Sequence, residues 1–271
     1  MWTKELFGVE KPIIALLHLD ALPGDPGYCG DMKEVVNHAR SDLRALQDGG
    51  VDGILFANEF SLPYQPIADV AVISAMARII GELKSDLLVP YGVNVVKNPI
   101  ATIDLAAATE AQFARSCFSG AYMGEYGLYV SNSGEAIRHR MHLGISGVKL
   151  LFKVNPEADT YLVNRDIRQV TSSILFGDFA DGLCVSGSAA GKEADDNLLT
   201  AVREIASKKE VPVFCNTGCN QENIVEKLLL SDGACVGTAF KANGCFDGRV
   251  DVERVASFMS LVNSYRTSSA E

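Results

Sequence analysis

Eight short apolar runs, each followed by a helix-like stretch, constrain this chain more than any other feature. They read PIIALLHL (12–19), VDGILFAN (51–58), LLVPYGVNVV (87–96), FARSCFSG (113–120), GVKLLFKV (147–154), ADGLCVSG (180–187), VPVFCNTG (211–218) and GACVGTAF (233–240). Most are almost continuously hydrophobic, the pattern of parallel strands covered on both faces. Successive starts lie 22 residues apart at the closest (211 to 233) and 39 at the widest (12 to 51), room for one crossover helix each. Helix punctuation agrees with this spacing. Asn98-Pro99 supplies an N-cap and a proline at the first helical position, Ser133 precedes GEAIRHRMHL with Gly144 beyond it, and Gly49-Gly50 closes the first helix. Eight β-α units with no linker between them predict an α/β fold, a single (β/α)8 TIM barrel in one domain over 1–271. A doubly wound open sheet is the alternative topology.

Segments that follow the strands are long: DALPGDPGYCGD, EFSLPYQP, AYMGEYGLYVSNS and NPEADTYLVN. Segments that enter them are short, such as QDGG, KSD and SD. Barrels build their sites from the loops after the strands, so the one-sided elaboration predicts a ligand site at that end.

Composition narrows what the ligand is. The 271 residues carry a formal net charge of -10, and no basic run exceeds Lys208-Lys209. That balance argues against nucleic acid and against an anionic membrane surface. A small phosphorylated molecule stays compatible, because backbone amides hold phosphate without net positive charge. Seven scattered cysteines, an odd number without C-x-x-C spacing, point to a reducing compartment. The opening MWTKELFG lacks the apolar core of a signal peptide and no long apolar stretch follows. The expectation is a cytoplasmic protein with no membrane partner, open to homo-oligomer assembly.

The segment CVSGSAAGKEAD (184–195) resembles a nucleotide-binding loop but fails its spacing. A Walker A loop needs four residues between its glycines and a hydroxyl after the lysine. Here three residues separate Gly187 from Gly191, and Glu193 stands where the hydroxyl belongs. A different phosphate device is present: the seventh strand ends in Asn216-Thr217-Gly218 and the eighth in Gly237-Thr238. Loops after strands seven and eight of a barrel often form a phosphate site through glycine-exposed amides. Ser186 and Gly187, at the end of the sixth strand, are expected beside it. The other reading is that these glycines only end strands.

Candidate catalytic groups fall just past strand ends. Asp20, Glu59 and Glu125 are carboxylates on the expected active face, either proton-transfer groups, ligands of a magnesium ion (Mg2+), or solvated loop residues. His18 ends the first strand, as acid/base or as a satisfied core histidine. Asn58 and Asn94 end strands two and three, where amides orient substrate hydroxyls or cap turns. Lys149 and Lys153 share one face of the fifth strand. Inward they are functional cations; outward they snorkel to solvent. His139 and His142, beside Arg138 and Arg140, read as an exposed helix face.

Taken together, KPIIALLHLDALPGDPGY, VDGILFANEFSLPY, GVNVVKNP, GAYMGEYGLY, GVKLLFKV, DGLCVSGSAAG, NTGCNQENI and DGACVGTAFK resemble the BtpA family, most closely its SgcQ-like branch, in order along almost the whole chain. The resemblance implies a TIM barrel grouped with phosphate-binding barrels. It also implies two kinds of role: a link to photosystem I assembly or stability for the namesake, and an association with sugar-uptake and sugar-phosphate genes for SgcQ-like members. This chain departs from the BtpA branch late in the fifth strand, where FKVNPEAD places Lys153 instead of an aspartate. In the fourth loop Glu125 replaces an aspartate. The resulting expectation is an enzyme acting on a small phosphorylated sugar or related metabolite, as isomerase, epimerase, aldolase or hydrolase. The alternatives are a non-catalytic assembly or stability factor and a metal-dependent phosphohydrolase.

Overall fold

The computed structural model describes residues 1–268; the last three positions of the expected domain, 269–271, lie outside the described residues. In chain order the strands are β1 (Ile13–His18), β2 (Gly53–Ala57), β3 (Tyr91–Asn94), β4 (Phe113–Ser116), β5 (Gly120–Gly124), β6 (Gly127–Ser131), β7 (Lys149–Lys153), β8 (Asp159–Tyr161), β9 (Gly182–Val185), β10 (Val213–Cys215) and β11 (Gly233–Val236). Eight of them, β1, β2, β3, β4, β7, β9, β10 and β11, pair in parallel in that order, and β11 closes back on β1. The closing register, Ile13 opposite Ala234 and Ala15 opposite Val236, rules out the open sheet.

The helices are α1 (Trp2–Phe7), α2 (Met32–Asp48), α3 (Val70–Leu83), α4 (Pro99–Thr109), α5 (Ser133–His142), α6 (Ile167–Gly177), α7 (Asp196–Ala206), α8 (Ile224–Leu230) and α9 (Val252–Ser268). Side-chain oxygens cap α2 (Asp31), α4 (Asn98), α5 (Asn132), α6 (Asp166) and α7 (Asp195), each accepting from an N–H of the first turn. The helix after β10 starts at Ile224, and Asn220 before it folds a turn, its side chain accepting from the amides of Glu222 and Asn223. Among the described residues no helix is long and apolar enough to cross a membrane.

Period-two alternation divides the strand residues into two cores. Ile13, Ala15, Leu17, Ile54, Phe56, Val93, Phe152 and Val213 face the helices. Ile14, Leu55, Phe113, Leu151, Cys184, Phe214 and Cys235 fill the barrel. Helix α1 lies under the barrel, with Phe7 packed edge-on against Phe113 at 5.6 Å between ring centres. Glycine makes room for these rings: a Cβ on Gly92 would stand 2.3 Å from the Phe113 ring, and one on Gly53 2.6 Å from Phe7.

The segments after β4 and β7 are more ordered than loops. Strands β5, β6 and β8 form an antiparallel three-stranded sheet over the barrel mouth, with Tyr122 opposite both Tyr129 and Tyr161. Those three rings and Cys117 make a small core of their own under the sheet.

Candidate active site

At the C-terminal ends of the barrel strands lies a cavity of about 440 Å³. Alternation places Arg115 and Lys153 on the barrel's interior face, in step with Phe113 and Leu151 below them. Both are buried cations, an arrangement tolerated only with close anionic and hydrogen-bond partners. The carboxylate is Glu157. Lys153 Nζ donates to its Oε2 at 2.6 Å, Asn216 Nδ2 donates to its Oε1 at 2.7 Å, and Ser186 Oγ donates to the same oxygen at 3.2 Å. Arg115 Nη1 donates to Asn216 Oδ1 at 2.6 Å, which ties the guanidinium to the same network. Burial alone would push the Glu157 carboxyl up, but the Lys153 and Arg115 cations outweigh it and hold its pKa below the ordinary value. Burial likewise works against the charge on Lys153, and Glu157 more than reverses it, leaving that pKa raised.

Glu59 faces the same cavity in a different state. Tyr64 donates to its Oε1 at 3.2 Å and to its carbonyl at 2.8 Å, while Oε2 has no partner among the described residues. Burial raises its pKa, the Arg115 cation only partly offsets this, and the Glu157 charge adds to the rise. Two carboxylates in one cavity are thus pushed apart, Glu157 held below the ordinary carboxylate range and Glu59 raised above it. Tyr64 itself is pushed up by burial and by Glu59.

A second corner of the cavity collects glycines. The N–H groups of Gly218 and Cys219 after β10, and of Thr238 and Ala239 after β11, donate to no acceptor among the described residues. Gly191, Thr238 and the guanidinium of Arg254 share this wall, and Arg254 Nε donates to the Ala239 carbonyl at 3.1 Å. The left-handed φ of Gly218 (+71°) and its contact with the backbone of Glu193 leave no room for a side chain; a Cβ would stand 2.3 Å from that amide nitrogen. The loop 187–195 that packs there is tied down by Lys227 of α8, which reaches Glu193, the Ala194 carbonyl and Asp196.

The expected residues divide into those on the cavity and those off it. His18, Glu59, Asn94, Lys153, Asn216, Thr217, Gly218, Gly237 and Thr238 line it. Ser186 stands one layer behind, on Glu157. Gly187 and Thr217 are spent on each other: the Gly187 amide donates to Thr217 Oγ1 at 2.5 Å, and that hydroxyl donates to the Lys192 carbonyl. Asn58 does not reach the cavity and accepts from the Val96 amide. Asp20 is engaged by Arg249 and His38. Glu125 is exposed at the tip of the β5–β6 hairpin, because the hairpin carries it away from the mouth. The trio Asp20, Glu59 and Glu125 therefore does not converge as a magnesium site. Among the described residues no group of three His, Cys, Asp or Glu is placed to hold a metal. Lys149 shares the interior face but sits at the opposite end of the barrel, beside Trp2 and 3.4 Å from Asp181.

His18 is not a satisfied core histidine: it is buried between Phe60 and Phe246 at the cavity, and neither ring nitrogen has a partner among the described residues. Burial, with Lys241 and Arg115 nearby, lowers its pKa well below 6.5 and keeps the imidazole neutral. Lys241, held over the same two rings and donating to the Phe246 carbonyl, is lowered by burial to about 8.

Sequence reading missed Arg115, Glu157 and Arg254 at the cavity. It also missed Lys97, which forms a buried ion pair with Asp159 at 2.6 Å and joins the end of β3 to the capping sheet. Tyr64, Tyr126 and Tyr129 complete the rim, the first two in edge contact at 5.3 Å and the last two beneath the Lys97 ammonium.

The family model described as the BtpA family matches residues 9–264. The putative sgc region protein SgcQ of Escherichia coli is 46% identical over 267 residues, covering 98% of this chain and 99% of that one. The photosystem I biogenesis protein BtpA of Synechocystis is 29% identical over 261 residues, covering 95% and 90%. Among solved structures, native KDPGal aligns with a TM-score of 0.57 at 15% identity over 94% of this chain and 95% of that one. A thiamine phosphate pyrophosphorylase from Pyrococcus furiosus aligns at 0.53 and 15%, over 94% and 96%. At such identities the structures share the barrel fold, whereas the sequence relatives share the whole chain. The chain belongs to the BtpA family.

Proposed function

We propose that the protein is an enzyme acting on a small phosphorylated sugar or related metabolite at the C-terminal mouth of its barrel. One observation carries the reading: acceptor-free amides after β10 and β11 share a cavity with a buried acid–base cluster. Amides of this kind, with the Thr238 hydroxyl and Arg254, suit a phosphate dianion. The carboxylates Glu59 and Glu157 and the cations Lys153 and Arg115 then face the unphosphorylated part of the ligand. A thiamine phosphate pyrophosphorylase shares the barrel fold, which is compatible with this reading. Melting the protein with a panel of sugar phosphates and with their unphosphorylated parents tests it. Stabilisation by phosphorylated members only, lost in Arg254→Gln, is the expected result; stabilisation by none overturns it.

A second reading rests on a separate observation. Met123, Leu128 and Val130 are exposed on the outer face of the capping sheet, with Leu162 and Val163 beside them. Apolar residues gathered this way suit a protein partner, in keeping with the photosystem I biogenesis for which the Synechocystis relative is named. Replacing Met123 and Val130 by serine would leave ligand stabilisation intact and abolish partner association if this surface is the functional one.

A further inference from the structure

We infer that the barrel mouth enolises a phosphorylated hydroxy-carbonyl compound, with Glu59 taking the proton beside the carbonyl and Lys153 and Arg115 receiving the charge that forms on the carbonyl oxygen. The inference rests on the phosphate reading above and chooses among the reaction types it leaves open.

Lys153 is fixed as a cation by geometry. Its ammonium donates to Glu157 at 2.6 Å inside the barrel, and Glu157 has both oxygens engaged by Lys153, Asn216 and Ser186. An amine that attacks a carbonyl must first be neutral, and removing that proton would strand the Glu157 charge in a buried site. The same engagement excludes Glu157 from proton transfer with a ligand. Glu59 is the opposite case: one oxygen is held by Tyr64, and the other is unpartnered on the cavity wall. Burial raises its pKa above the ordinary carboxylate value, which makes it a stronger base than an exposed carboxylate. Arg115 is anchored at Nη1 by Asn216 and lines the cavity beside Lys153.

The charges close without any further reactant. The C–H bond beside the carbonyl breaks, and its proton goes to the free oxygen of Glu59. The bonding pair becomes a carbon–carbon double bond, and the carbonyl π pair moves onto oxygen. Before the step two carboxylates face two cations; after it, one carboxylate and one enolate oxygen face the same two cations. The negative charge migrates within the cluster while its sum stays constant, which limits the solvent reorganisation the step requires. Return of the proton to the neighbouring carbon, with the hydroxyl proton passing to the former carbonyl oxygen, interconverts aldose and ketose; return to the same carbon shows as isotope exchange alone.

The test uses the full chain in deuterium oxide with phosphorylated aldoses and ketoses, following the proton beside the carbonyl by NMR. Loss of that signal is expected for at least one member that also raises the melting temperature. Glu59→Gln should slow exchange about 100-fold or more while the ligand-induced melting shift persists. Lys153→Met should cost on the order of 100- to 1000-fold, and Lys153→Arg should recover part of it, because a cation suffices. Borohydride reduction in the presence of the stabilising ligand should leave no adduct on Lys153 or Lys241. A stabilising ligand that shows no exchange, or a trapped lysine adduct, overturns enolisation and leaves phosphate binding standing. A panel in which nothing stabilises the protein overturns the phosphate reading, and enolisation with it. Should Lys153→Met fail to fold, Glu59→Gln carries the test, since Glu59 holds no ion pair in the structure.

Discussion

Lys149 and Lys153 stand on one strand, on one face, at opposite ends of one barrel, and their surroundings have little in common. Lys149 opens to solvent beneath the barrel, against Trp2 and loosely paired with Asp181. Lys153 is enclosed at the mouth with Glu157, Arg115 and Asn216. Between them lies an apolar plug of Ile14, Leu55, Phe113, Leu151 and Phe214. The lower end is built for stability: aromatic rings fill the space left by glycines, and α1 closes it. The upper end carries buried charge that contributes little net stability and demands complete pairing. The same strands supply both ends, so the difference comes from which residue each strand places at its last inward position.

Substitutions at the two ends should separate these roles. The largest effect is expected below. Phe113→Ala removes a ring packed on Phe7 and over Gly92, and should lower the unfolding free energy by about 3–5 kcal/mol in urea titrations. The ligand-induced melting shift should survive in the fraction that folds. Loss of that shift would mean that the plug shapes the mouth directly.

Gly218→Ala probes the upper end. A side chain there meets the Glu193 backbone and needs a left-handed φ, so destabilisation of about 1–3 kcal/mol is expected. Phosphate-ester stabilisation should disappear as well, because the neighbouring amides move. A variant that melts early yet keeps full ligand response would place the anion elsewhere.

His18→Leu sharpens the comparison through pH. Below about pH 6.5 the unfolded chain protonates this histidine while the folded chain holds it neutral, so the unfolded state binds more protons and stability falls with acid. The slope from this group reaches at most about 1.4 kcal/mol per pH unit. The leucine variant should lose that part of the acid sensitivity and gain about 1–3 kcal/mol near neutrality, the cost of a buried unpaired imidazole. Equal acid sensitivity in both proteins would show that the imidazole finds a partner in solution.

The barrel itself was legible in the sequence, because eight apolar runs punctuated by glycines, prolines and caps leave few other topologies. That the ends of the last two strands meet at the mouth was legible at Gly218, Gly237 and Thr238, although Gly187 and Thr217 satisfy each other. The buried charged cluster was half visible. In a strand covered on both faces, alternation says that Lys149 and Lys153 agree in direction but not which direction, since no polar side marks the outside. Arg115 passed unnoticed inside FARSCFSG, where it read as an interruption of an apolar run. Glu157 lies four residues after Lys153, a spacing with meaning on a helix and none in a loop, so only the fold could bring the two together. Glu125 is the converse case: it lies past a strand end, where a loop would bring it to the mouth, but GAYMGEYGLY folds as a β-hairpin and sends its tip outward.

Lys149→Met makes the smallest change and the cleanest contrast. The pair with Asp181 is long, at 3.4 Å, and partly exposed, and Asp181 keeps Arg140 and the Leu150 amide as partners. Surface pairs of this kind contribute about 0–1 kcal/mol, and the methionine stem still packs on Trp2. Unfolding free energy should therefore change by less than about 1 kcal/mol, weakening further as salt screens the native pair. Isotope exchange at the mouth should be unaltered, because the apolar plug separates this ammonium from the cavity. If exchange fell with Lys149→Met as it does with Lys153→Met, charge at the two ends would be coupled through the barrel, and the division between a stabilising floor and a reactive mouth would be wrong.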